Sequence, residues 1–305
     1  NVEVRGVEVK EVYNEEKEIR TTVVKITTEN GAKTMGRPQG TYITIESEGL
    51  SAPDEDYHRE VSEELSKHLR QLVGTGKEKS ILVVGLGNQG ITADSLGPMV
   101  INNLQMTRHL IREYGLKSTE ETVLHEVSGI IPGVMGQTGM ETSEIIEGVV
   151  SVTKPDVVIA IDALAARRTS RINSVIQIAD SGISPGSGVG NKRMLLNEES
   201  LGVPVIGIGV PTVVSAATLV NDSMERILYA MAEASEEKLF YNTLNNLGDE
   251  REALIAELLE PYAENMFVTP KEVDEVIERL AEIISNAINI AVHPALTKED
   301  INKYV

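Results

Sequence analysis

One stretch, residues 80–100 (SILVVGLGNQGITADSLGPMV), limits the possible folds of this chain more than any other. Residues 81–84 are a short apolar run rich in β-branched side chains, the pattern of a strand covered on both faces. Gly85, Gly87 and Gly90 then let the backbone turn sharply and admit another group at close range. Asp94 lies within this loop. A helix is predicted immediately after it, with Asp94 or Ser95 as N-cap and Pro98 in the first turn, where a missing N–H is no loss.

Residues 85–90 also match the dinucleotide fingerprint G-x-G-x-x-G behind a strand, which would suit a noncatalytic dinucleotide-binding protein. In such a site the helix opens within the glycines, and an acid ends a second strand about 20 residues on. Here 91–95 continue the loop, and that acid is missing. The favoured reading is that the loop holds the carboxylate of Asp94 at the carboxyl end of a strand. The plainer alternative is that Asp94 only caps a helix.

Residues 2–12, 19–28 and 42–46 alternate apolar with polar side chains, and Asn30-Gly31 marks a turn, so antiparallel strands with one solvated face open the chain. Residues 54–72 carry Val61, Leu65, Leu69 and Leu72 on one helical stripe. Further strands are predicted at 122–127, 156–162, 172–178 and 203–209, with helices at 141–152, 211–234, 249–259 and 270–291. The last helix has Thr269 as N-cap, Pro270 at its first position and Glu272 completing a capping box. Alternating strands and helices indicate an α/β fold. We expect a three-layer αβα core with a mostly parallel central sheet over 80–292, an attached antiparallel β layer at 1–50, and a single domain spanning 1–305.

Asp162 is the other acid that stands out, because it ends the apolar run 157–161. It either caps the segment that follows or serves a site, since open α/β sheets place their chemistry outside the carboxyl ends of their strands. If its strand neighbours that of Asp94, both carboxylates face one crevice. Paired acids can share one proton and act as acid and base on a water, or they can hold a metal.

Other motifs are weaker. Residues 182–186 (GISPG) match the nucleophile elbow G-x-S-x-G, but Pro185 has no N–H for an oxyanion hole and no helix is predicted to follow. Residues 186–193 (GSGVGNKR) lack the Gly before Lys and the Ser or Thr after it that a phosphate loop needs, so they are either a connector or a loop for an anion or peptide backbone. The loop 129–139 is unusually apolar for a surface connection, which makes it a candidate contact for a neighbour or a substrate. No histidine pair has metal-site spacing, and His58 and His68 are expected in solvent on a charged helix. With no cysteine, thiolate metal sites and a cysteine nucleophile are excluded, which fits a reducing interior. No apolar run approaches the ~20 residues of a membrane span. The balance of 28 basic to 47 acidic residues, net −19, argues against direct nucleic-acid binding.

The segments GLGNQGITADSLGP (85–98), MTRHL (106–110), IPGVMGQTG (131–139), AIDALAAR (160–167), SGISPGSGVGNKR (181–193), GIGVPTVV (207–214) and VTPKEVD (268–274) span most of the chain. In them the chain resembles the germination proteases of spore-forming bacteria, endopeptidases that degrade small acid-soluble spore proteins. The resemblance implies a homotetrameric enzyme without a cofactor, made as a zymogen that processes itself late in sporulation and acts at germination in the cytoplasm of the forespore and spore core. It implies Asp94 and Asp162 as the catalytic aspartates. Gly87, Asn88, Gly133, Gly136, Gly188, Gly190, Lys192 and Arg193 are the candidate substrate-binding or site-shaping residues, and the N-terminal strands and the 181–193 loop are expected to help shape the cleft. A more distant similarity is to hydrogenase-maturation proteases, whose loop acid and strand acid correspond to the same two positions. Those enzymes add a histidine to complete a metal site. No histidine lies between His125 and His293 here, so no metal is expected, and a metal-dependent peptidase is the rival reading. The chain also opens without Met or the family's leader, and its 234–244 segment is shorter than is usual in the family.

Overall fold

The computed structural model describes residues 4–74, 76–118, 123–186, 194–234, 254–255, 257 and 266–293. Among them nine strands form one sheet: β1 (Val7–Asn14), β2 (Ile19–Ile26), β3 (Gly40–Glu46), β4 (Ser80–Gly85), β5 (Glu126–Ile130), β6 (Val157–Ala166), β7 (Val175–Ala179), β8 (Val205–Ser215) and β9 (Phe267–Val268). The order is β1-β2-β3-β7-β8-β6-β4-β5, with β9 paired to β8. β4 pairs in parallel with β5 and β6, and β6 with β8. From β8 outward through β7 and β3 to β1, every pairing is antiparallel.

The helices are α1 (Glu29–Met35), α2 (Glu55–Val73), α3 (Leu96–Asn102), α4 (Arg108–Tyr114), α5 (Met135–Thr138), α6 (Thr142–Thr153), α7 (Glu198–Leu201), α8 (Ala216–Ala234) and α9 (Val273–Val292). They cover both faces because the side chains of the central strands alternate between two cores. Ile81, Val83, Ile159 and Ile161 pack with Leu65 of α2, Leu96 of α3 and Ile284 of α9. Leu82, Val84, Val158 and Ala160 point the other way, onto Ile146 and Val150 of α6 and Leu201 of α7. Val83, Ile159 and Ile161 are each 0 % exposed, and burying a side chain of this size stabilises by about 1.5–3 kcal/mol. The result is the expected α/β sandwich of three layers.

The N-terminal strands join this sheet edge to edge. Ile43 and Ile45 of β3 lie opposite Ile178 and Ile176 of β7 and enter the same core. β1, by contrast, is exposed along nearly its whole length. Among the described residues no helix is long and apolar enough to cross a membrane.

Several local expectations fail for identifiable reasons. Asn30-Gly31 is not a turn but lies within α1, where the Thr28 side chain accepts from the Gly31 N–H as an N-cap. The strand expected at 122–127 begins only at Glu126. Pro211 does not open a helix: β8 runs through it to Ser215, and α8 begins at Ala216. The last helix begins at Val273, because the Thr269 hydroxyl that should have capped it donates instead to the Thr212 carbonyl at 3.0 Å. His58 is buried rather than solvated, and His68 is largely covered and faces Glu64 at 3.5 Å. Apart from 254–255 and 257, the helix predicted at 249–259 lies outside the described residues, as does 235–244.

Candidate active site

β4 ends at Gly85, which pairs with Ile161, while the neighbouring strands β6 and β8 continue beyond it. This difference in strand length opens a crevice at the carboxyl end of β4. Asp162 is therefore not the last residue of its strand, as its sequence context suggested. It lies inside β6, paired with Gly209 of β8, and no helix follows for it to cap. By the two-residue period of the strand it shares the face of Val158 and Ala160, the side covered by α6. It is 3 % exposed and accepts a long hydrogen bond, 3.4 Å, from the Gly186 N–H.

Asp94 reaches the same crevice from the loop after β4. Residues 86–95 are closed by their own hydrogen bonds: Asn88 N–H to the Asp94 carbonyl (3.0 Å), Asp94 N–H to Ile91 (2.8 Å) and Ser95 N–H to Thr92 (3.0 Å). Thr92–Asp94 form a 3₁₀ turn, and the N-cap position of α3 belongs to Ser95, not Asp94. Two glycines make this packing possible. Gly87 has φ +114, and a Cβ there would lie 2.0 Å from the Asp94 carbonyl oxygen. At Gly97 a Cβ would meet the Leu86 and Ile161 carbonyl oxygens at 2.4 and 2.7 Å, so α3 can press its first turn directly against the end of β4 and the backbone of β6.

Asp94 and Asp162 line one cavity of about 300 Å³, with Leu86, Ile91, Ala163, Pro185 and Phe267 giving it mostly apolar walls. Thr142, the first residue of α6, and Thr212 of β8 also line it. Sequence reasoning brought the two acids together but passed over these threonines, Leu164 and Phe267. The Pro-Thr pair 211–212 inside a β-branched run was the available sign of an irregular strand.

The other candidate residues divide into three groups. Gly87 lines the cavity, and Asn88 braces the loop from outside, its side-chain oxygen accepting from Gly90 N–H and from Gln137 Nε2, both at 2.9 Å. That second bond ties the 131–139 loop to the acid-bearing loop. Gly133 touches the site's edge through its carbonyl, which accepts from Thr142 Oγ1 at 3.4 Å, whereas Gly136 faces open space. Gly188, Gly190, Lys192 and Arg193 lie outside the described residues.

A second cavity of about 400 Å³ shares Leu164 with the first; residues 181–184 line it, whereas Pro185 and Gly186 line the first. Arg37, just before β3, and Tyr42 and Thr44 on it line this cavity, together with Arg167 and Ser184. The Tyr42 hydroxyl holds this wall in place, donating to Pro38 O (2.8 Å) and accepting from Ser181 Oγ (3.0 Å). A larger cleft of about 630 Å³ sits around Arg20, Glu46 and Arg171. Size does not make it the better site: Arg171 and Glu46 neutralise each other at 2.9 Å, and Arg20 is paired with Glu11. Among the described residues, no three His, Asp or Glu side chains are grouped so as to hold a metal ion.

A buried strand acid and a loop acid in one apolar-walled cavity are equipped for proton transfer to and from a bound water. Comparison with known proteins agrees with a hydrolytic role. The family model for germination protease matches residues 1–246 and 230–305. The germination protease of Clostridium tetani is 48% identical over 305 residues, covering 99% of this chain and 93% of that protein. That of Caldanaerobacter subterraneus is 47% identical over 303 residues, covering 99% and 92%. The Bacillus cereus protein is 41% identical over 330 residues, covering 96% and 89%. Among solved structures, a nickel–iron hydrogenase maturation protease from Thermococcus kodakarensis matches at 19% identity and a TM-score of 0.33, covering 72% of this chain and 98% of that one, too weak a likeness to add to the assignment. Matched along its length by the family model and by relatives of nearly the same extent, this chain belongs to the germination protease family.

Proposed function

We propose that this protein is an endopeptidase that degrades small acid-soluble spore proteins at germination, with Asp94 and Asp162 as its catalytic acids. The observation that carries the reading is that Asp94, from the loop after β4, and Asp162, from inside β6, line one cavity of about 300 Å³. One carboxylate takes a proton from water as it attacks the scissile carbonyl, and the other, holding a proton, supplies it to the departing amide; two acids that share one cavity are suited to such a division of roles. The apolar walls exclude competing solvent and strengthen these interactions. The N-terminal strands and the 181–193 loop shape the cleft, supported by Arg37, Tyr42 and residues 181–184 around the second cavity. We further propose a single peptidase domain, assembled as a homotetramer, made as a self-processing zymogen and working in the forespore and spore core.

The test is incubation with small acid-soluble spore proteins, with and without a chelator, read by mass spectrometry. Discrete internal fragments, produced equally under both conditions, are expected. Intact substrate would refute the activity. Cleavage abolished by chelator and restored by a divalent cation would favour a metal-dependent peptidase instead. Light scattering at micromolar protein should give four times the chain mass, and a monomer mass would remove the tetramer.

A further inference from the structure

β8 contains an irregularity beside the site. Leu164 pairs with Pro211 and Ala165 with Val213, so Thr212 is an extra residue with no partner position on β6, a β-bulge. Proline suits such a place because it cannot donate to the sheet ladder. The bulge is fixed by bonds on either side: Asn173 N–H donates to the Pro211 carbonyl at 2.8 Å, and Thr269 Oγ1 to the Thr212 carbonyl at 3.0 Å. Bulges re-aim side chains, and this one sends the Thr212 hydroxyl, 0 % exposed, to the carbonyl oxygen of Ala93 at 2.6 Å.

That carbonyl belongs to the peptide unit entering Asp94. The unit leaving Asp94 is held by Asn88 N–H at 3.0 Å. Fixing both peptide planes fixes the direction of the Asp94 Cα–Cβ bond. The Asn88 bond lies within the loop and moves with it. The Thr212 bond comes from β8, the strand whose Gly209 pairs with Asp162. We infer that Thr212 is a positioning residue that sets the Asp94 carboxylate against Asp162 by anchoring the 92–94 turn to the strand beside Asp162. This rests on the acid-pair reading proposed above. Proton transfer is steep in geometry, and a misplacement of about 1 Å can cost on the order of 10²-fold.

Thr212→Ala and Thr212→Ser delete the same methyl group and differ only in the hydroxyl, so comparing them removes effects of packing. Thr212→Val serves as the near-isosteric partner. The readouts are kcat and KM on spore protein, the pH–rate profile and the melting temperature. Thr212→Ser should keep kcat within about threefold of the parent, while Ala and Val lower it by about 10- to 100-fold. KM should change little, and the pH–rate profile of the Ala and Val variants should shift, because Asp94 is displaced relative to its partner acid. Equal kcat for Ser and Ala, or losses that merely follow the folded fraction, would overturn the inference. Asp94→Asn separates the two layers of the argument. If it cleaves normally, the acid pair and this inference fail together. If it is crippled while Thr212→Ala stays active, only the role of Thr212 fails. In the Asp94→Asn background, Thr212→Ala should change the residual rate by less than about twofold, since residues acting through one another are not additive; a full further loss would show that Thr212 acts by another route.

Discussion

The two halves of the sheet are built under different constraints. From β5 to β8 the strands are parallel, and the inner ones share their residues between two cores, as Ile81 and Val83 of β4 are set against Leu82 and Val84. From β7 to β1 they are antiparallel, cover falls away strand by strand, and Val9, Val12 and Tyr13 on β1 are more than half exposed at 64, 51 and 52 %. Both acids sit in the first half. A strand packed on both faces has nowhere to shift, and the proposed acid pair needs such a frame. The second half supplies only walls, through Arg37, Tyr42 and the 181–186 loop.

The contrast can be tested by unequal mutations. Ile159→Ala, in the doubly covered half, should cost about 2–5 kcal/mol by chemical denaturation. Val9→Ala on β1 should stay within about 0.5 kcal/mol, and comparable costs would erase the distinction drawn here. Gly87→Ala comes next. It forces a side chain into φ +114 and toward the Asp94 carbonyl, so about 1–3 kcal/mol of strain is expected, with loss of cleavage in molecules that remain folded. Unchanged stability would mean the loop relaxes freely and does not hold its acid.

The smallest effect concerns pH. His293 ends α9 near Gln105, whose carbonyl lies 3.0 Å from Nε2, and burial holds its pKa below the ordinary 6.5, the bond to Gln105 opposing only in part. As pH falls through 6.5 the unfolded chain takes up this proton first, so stability drops from there until the folded-state pKa is passed. Melting curves between pH 8 and 5 should show this fall, and His293→Gln should flatten it. An identical pH dependence in the variant would remove His293 as its source.

How far the sequence could be read differs between the halves too. The runs 81–84 and 157–161 announce doubly covered strands, and the alternation of 19–28 and 42–46 announces strands with one covered face. The strand acid was visible as a charge ending the apolar run 157–161, and the loop acid as the carboxylate in a glycine-rich loop that follows another such run. What stayed hidden depends on partners distant in sequence. The Thr269-Pro270 signature reads as a helix start only while Thr269 is free, and in the folded chain its hydroxyl is taken by Thr212. Pro211 reads as a first helical turn unless one knows that it borders a bulge in β8. Asp162 reads as a strand end because nothing in its local sequence shows that β4 stops beside it first.

The central claim is that Asp94 and Asp162 act as one chemical pair. Its most direct test is the rate of spore-protein cleavage by Asp94→Asn and Asp162→Asn, each measured beside its melting temperature. Asparagine keeps the shape and caps a helix as well as aspartate does, but it cannot exchange the proton. Each substitution should lower the cleavage rate by about 10²- to 10⁴-fold while the protein stays folded. Near-normal cleavage by either folded variant would contradict the account.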